Sequence, residues 1–188
     1  MIVRTAMVAI ALALAACDRA PEQQASGPAP QLDAPAPETV PSRVFAPVNE
    51  AARAASGDLT MTISLSLPDA GDQSAAAQET LSLRGANGLQ IEGAVTSAVS
   101  PATQVDGQTL RALMALPVEE PQTLVYRVSS QTNPGPGAGL CGADEPAFVV
   151  VWEPSDPGGD GLKVMGLTGG APGAAGARAC PMLEYRRS

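Results

Sequence analysis

Between residues 59 and 67 apolar and polar side chains alternate without a break. Leu59, Met61, Ile63, Leu65 and Leu67 fall on one face, and Thr60, Thr62, Ser64 and Ser66 on the other. A period of two predicts a strand with one buried and one wet face. Two further strands are expected at 79–84 and 89–95, joined in a hairpin by Gly85-Ala86-Asn87-Gly88. Residues 122–129 are rich in β-formers. Ala147 to Trp152 is apolar at every position, the pattern of a strand covered on both faces. Residues 162–167 and 183–187 complete the set. Helical spacing is confined to two short stretches. One runs from Pro47 to Ala55 and stops near Gly57. In the other, Leu110, Leu113 and Met114 share a face, with Asp106 as cap and Pro117 as stop. The pattern predicts a mostly β chain: a single small antiparallel β-sandwich or partly open barrel with one or two short helices. A single sheet with helices on one face is the alternative.

The first 45 residues read differently. Arg4 precedes an apolar run from Ala6 to Ala16, followed by Cys17. A positive charge, a short apolar stretch and small residues before a break are the parts of a secretory signal. The run is too short for a membrane-spanning helix, which needs about 20 residues. Leu14-Ala15-Ala16-Cys17 resembles the lipobox of bacterial lipoproteins. The resemblance covers residues 1–18. It implies cleavage before Cys17, lipidation of Cys17, and attachment to a membrane on its periplasmic side through acyl chains. Asp18 resembles the residue that retains some lipoproteins in the inner membrane, which favours that membrane slightly over the outer one. From residue 18 to about 45 the chain is rich in Pro, Ala and polar residues and has almost no large apolar side chains. No core can form there, and a semi-rigid extended tether is expected. The organisation expected is a signal peptide at 1–16, a lipidated Cys17 with its linker at 17–45, and one β-rich domain at 46–188.

Cysteine usage follows from that reading. With Cys17 lipidated, Cys141 and Cys180 remain, in a compartment where disulfides form. A structural Cys141–Cys180 bridge is expected; a redox-active pair is the alternative, without a C-x-x-C spacing in its favour.

Composition narrows the chemistry. The chain has no histidine, which excludes Ser-His-Asp and Cys-His catalysis and His-ligated metals. Its net charge of −8 argues against a nucleic-acid partner. Gly137, Gly139 and Gly142 match a dinucleotide fingerprint in letters, but they follow a Pro/Gly loop and precede a strand. Asp156 and Asp160 have the look of a calcium loop, yet Gly158 and Leu167 stand where oxygen ligands belong. Both segments read as turns, and no metal or cofactor is expected. Glu119, Glu120, Asp144, Glu145, Asp69 and Asp72 read as loop charges. The lone Lys163 reads as an outward strand residue, and Arg186 and Arg187 as solvated charge. Trp152 and Phe148 share a strand face that reads as core, or as a binding patch if that face is open. The expected function is therefore a lipid-anchored, non-catalytic binding or adaptor module of the periplasmic envelope, with a protein, glycan or lipid as partner. The alternatives are a passive envelope spacer and a hydrolase working through carboxylates alone.

Overall fold

A computed structural model describes residues 38–39, 41–67, 76–156 and 158–188. Its strands are β1 (Glu38–Thr39), β2 (Arg43–Pro47), β3 (Leu59–Ser66), β4 (Gln78–Gly85), β5 (Gln90–Val99), β6 (Gln104–Val105), β7 (Gln108–Thr109), β8 (Thr123–Thr132), β9 (Phe148–Trp152), β10 (Gly161–Thr168) and β11 (Arg178–Arg187). The helices are α1 (Glu50–Ala55) and α2 (Leu110–Leu113). Strands β2, β3, β4, β5, β8, β9, β10 and β11 pair antiparallel in that order, and β11 returns to β2. The result is a closed eight-stranded up-and-down barrel. Closure removes free sheet edges. A small β6–β7 ladder stands apart from it.

The expected strands all form, and the architecture is the closed member of the expected class. The domain begins earlier than residue 46, because Arg43–Pro47 is a barrel strand and Glu38–Thr39 pairs with Ser64 and Leu65 of β3. Phe45 is the only large apolar side chain that β2 directs inward, so alternation could not reveal it. Pairing on both sides, with β3 and β11, holds it in place.

Two cores share the barrel wall. Val149 and Val151 point inward with Phe45, Leu59, Met61, Leu81, Leu83, Val164 and Tyr185. Phe148, Val150 and Trp152 point outward, where Val105, Leu110, Met114 and Leu116 of the β5–β8 connection cover them. This is the physical reason that β9 is apolar on both faces. Asp106 does not cap the helix. It has φ 51° and, with Gly107 at φ 77°, forms the two-residue turn between β6 and β7. Thr109 is the cap, its side chain accepting from the Ala112 amide at 3.3 Å.

The end of the barrel near α1 is plugged. Asn49 caps α1 by accepting from the Ala52 amide at 2.9 Å, and its Nδ2 donates to the Met182 carbonyl of β11 at 2.9 Å. Ala52, Ala55, Leu89 and Leu140 complete the inner core there. The final strand starts five residues before the expected Leu183, so Cys180 lies within β11 rather than ahead of it. Its ladder to β10 skips from Met182 to Ala179, which leaves Cys180 and Pro181 on an irregularity where a proline breaks no pairing.

Candidate functional site at the barrel mouth

At the opposite end the inward register turns polar on several strands together. In β4 the inward positions run Leu83, Leu81, Glu79. In β2 Phe45 is followed outward along the axis by Arg43. On β9 Val149 and Val151 lead to Glu153, one step past the strand. On β3 the inward side chains grow more exposed toward this end, from Leu59 and Met61, both buried, through Ile63 and Leu65 to Leu67 at 55%. The structure therefore has a filled barrel with an open mouth, walled by apolar residues and ringed by inward-facing polar ones.

The polar groups are engaged with one another. The Arg43 guanidinium donates to both oxygens of Glu153, at 2.5 and 2.9 Å, with each side chain a quarter exposed. A two-pronged pair of this kind fixes both groups in orientation. The hydroxyl of Tyr126, a residue 1% exposed, donates to Glu79 at 2.5 Å. Burial pushes the Tyr126 phenol far above its ordinary range. The bond to Glu79 and the charges of Glu79 and Glu153 push the same way, against Arg43. The three charged side chains thus all act on the Tyr126 hydroxyl. Beside them a cleft of about 190 Å³ is lined by Ile63, Leu124, Tyr126, Val151 and Glu153, with Ser155 on its rim. Ser155 donates to Glu120 at 2.9 Å. Such a cleft is smaller than the roughly 300–1,000 Å³ of drug-sized pockets and suits a small group entering between apolar walls.

The plugged end offers different chemistry. A cleft of about 210 Å³ lies between α1 and the glycine loop, lined by Ala51, Ala54, Gly137, Gly139 and Pro181 and without a charged side chain. Cys141 and Cys180 lie at disulfide distance there, with Cα atoms 5.0 Å apart. Gly166 makes the room: a Cβ on it would stand 2.6 Å from the Cys141 sulfur.

The residues singled out from sequence fall in several places. Cys17, Asp18, Asp69 and Asp72 lie outside the described residues. Trp152 and Phe148 form no open patch. They are 7% and 9% exposed beneath the β5–β8 connection, so that face is core. Arg127 lies 5.4 Å from the Phe148 ring and Lys163 5.6 Å from the Trp152 ring. Lys163 does point outward, but it is bound: its ammonium donates to the Ala115 carbonyl at 2.8 Å and so fastens the outer cover to β10. Asp160 pairs with Arg186 at 3.3 Å, and Asp156 accepts from the Gly158 amide at 3.3 Å. Gly137, Gly139 and Gly142 belong to an irregular loop closed by Gly139–Gly142 hydrogen bonds, not to a strand-to-helix turn. Among the described residues no group of three His, Cys, Asp or Glu is arranged to hold a metal ion.

The mouth residues Arg43, Glu79, Tyr126 and Glu153 were not picked out by sequence reasoning. The available signal was register. Each charged residue stands two positions from a side chain on the apolar face of its own strand, so closure of the barrel directs it inward. No family model, curated protein or solved structure matches the chain.

Proposed function

We propose that the chain is a lipid-anchored protein of the bacterial envelope, facing the periplasm, whose barrel is a non-catalytic binding module working through its mouth. One observation carries the binding part: a polar ring is turned inward among apolar walls at the open end of a barrel otherwise filled with side chains. Eight strands enclose a space that side chains fill or that holds one small ligand. Charged groups facing inward are costly unless paired, and here each has a partner. Arg43 occupies both oxygens of Glu153, and Glu79 accepts from a phenol. Groups held in this way are fixed in orientation, which suits recognition of a bound molecule.

The anchor part rests on Leu14-Ala15-Ala16-Cys17 and on the Pro/Ala-rich stretch that follows. Glu38–Thr39 pairs near the far end of β3, so the chain enters the barrel on the mouth side. An extended tether of about 20 residues reaches about 60 Å in polyproline II form, which lets the mouth meet partners near the membrane.

The test is photocrosslinking in cells from the tagged lipoprotein, with a benzophenone side chain at Leu67 on the rim or at Ser66 on the outer wall. The expected result is a discrete adduct from position 67, absent from 66, and weakened by Cys17→Ser, which also abolishes fatty-acid labelling. Equal adducts from both positions, or none from 67, overturn the assignment of the mouth. Persistent labelling in Cys17→Ser overturns the anchor.

A further inference from the structure

We infer that the mouth selects small amphipathic cations: an ammonium head bearing a short apolar tail. This rests on the reading of the mouth as the binding end and adds the class of ligand. The argument is one of charge and shape. Of the charges at the mouth, Arg43 and Glu153 neutralise each other through two hydrogen bonds. Glu79 is left with a neutral partner, the Tyr126 hydroxyl, which occupies one carboxylate oxygen. The three charges that act at the Tyr126 hydroxyl, those of Glu79, Glu153 and Arg43, therefore sum to one net negative. Glu79 faces inward two residues from Leu81, which is 1% exposed, and opposite Leu65 in the β3–β4 register. A carboxylate in that position, partly shielded from water, is completed by a cationic donor through a charge-assisted hydrogen bond.

The walls specify the rest of the ligand. Ile63, Leu124 and Val151 line the cleft, and Leu65 and Leu67 extend an apolar track along β3 to the rim. A volume near 190 Å³ accommodates only a few carbons, and the Tyr126 side chain on its wall places Glu79 beside it for the head. A longer tail would run outward along the leucines. An anionic amphiphile of the same length would present its head to Glu79 with Arg43 already committed to Glu153, and like charges repel.

The full chain bearing Cys17→Ser is titrated with n-hexylammonium or hexanoate, short probes of equal length and opposite charge. Backbone amide shifts of the residues lining the cleft report binding. The expected result is saturable shifts at Ile63, Leu124 and Tyr126 with hexylammonium and none with hexanoate. Glu79→Gln is expected to weaken hexylammonium at least about tenfold, the size of one charge-assisted hydrogen bond. Tyr126→Phe keeps the carboxylate and removes its competing donor, and is expected to bind at least as tightly as the parent. Retained thermal unfolding of each variant confirms its fold. Hexanoate binding as well as hexylammonium, or Glu79→Gln binding unchanged, overturns the cation preference while leaving the mouth as a binding end. Absence of binding by hexylammonium overturns the inference. If position 67 still yields its adduct in cells, the fault lies with the ligand class and not with the site.

Discussion

Removing the bridge between Cys141 and Cys180 is expected to cost about 4 kcal/mol of stability. The two residues are 39 apart in sequence, so the bridge closes a loop of about 40 residues. In the chain-entropy model a loop of that size raises the free energy of the unfolded state by about 4 kcal/mol at 25 °C. The native state adds a reason for the bridge to matter. Its sulfurs sit in the space left by Gly166, next to Leu140, a 3%-exposed residue of the plug. The perturbation is the double variant Cys141→Ser/Cys180→Ser in the full chain with Cys17→Ser. The assay is urea unfolding followed by Trp152 fluorescence and far-ultraviolet dichroism. At about 2–4 °C per kcal/mol for a domain of this size, the thermal midpoint should fall by about 8–16 °C. A thiol assay on the denatured, unreduced parent should find no free thiol. A loss under about 1 kcal/mol would refute the claim that the bridge is a structural constraint. Two free thiols in the parent would refute the bridge itself and revive the redox-active alternative.

Three further outcomes follow from local geometry. Gly166→Ala should destabilise by about 1–3 kcal/mol, since its Cβ would stand 2.6 Å from the Cys141 sulfur and 3.0 Å from Leu140 in a filled space; an unchanged urea midpoint would show that the plug can yield. Asn49→Ala should cost about 1–2 kcal/mol by removing the cap of α1 and the bond to the Met182 carbonyl, read as a shift in midpoint without a change of slope. Both tyrosines should stay protonated at pH 10 in the folded chain, because burial pushes Tyr185 up to about 12, against a lowering by its Ser56 bond, and Tyr126 higher still. A raised folded value means that the native state holds the proton more tightly. The Tyr185 contribution is therefore intact below pH 10 and is lost as pH climbs toward 12, amounting to about 2–3 kcal/mol. Tyrosinate absorbance appearing at pH 10 without unfolding would contradict it.

How far the fold could be read in advance depended on whether each strand carried its own evidence. The nine-residue alternation of β3 needed no partner to be recognised. The continuous apolar run of β9 disclosed its two covered faces, though not that one cover is the β5–β8 connection bearing α2. Asp106 shows how a local rule misleads. Aspartate suits a helix cap and a tight turn alike, and the following Gly107, at φ 77°, decides for the turn. Strand β2 had one inward apolar residue and could not declare itself. Its place depends on Pro47 meeting Tyr185 from the other end of the chain, a contact that no local pattern contains.

The mouth was hidden for the same reason. Seen one strand at a time, Arg43, Glu79 and Glu153 are polar residues at strand ends, which is where strands ordinarily leave the core for water. That explanation requires a polar end to face outward or to lie apart from its neighbours. Closing the sheet denies both. With Phe45, Leu81 and Val151 fixed inward, the residues two steps beyond them are carried to the same rim, where Arg43 meets Glu153 and Glu79 meets Tyr126. Arg43 and Glu153 then cancel, and Glu79 is left beside the buried Tyr126 hydroxyl with no described cation to meet it. If the ring served only to end the barrel, replacing Glu79 by glutamine would preserve its hydrogen bond to Tyr126 and leave every property of the mouth unchanged. If the ring recognises a cation, the same substitution removes binding and spares stability. The charge of Glu79, separated from its hydrogen bond, is therefore the quantity that distinguishes a rim from a site.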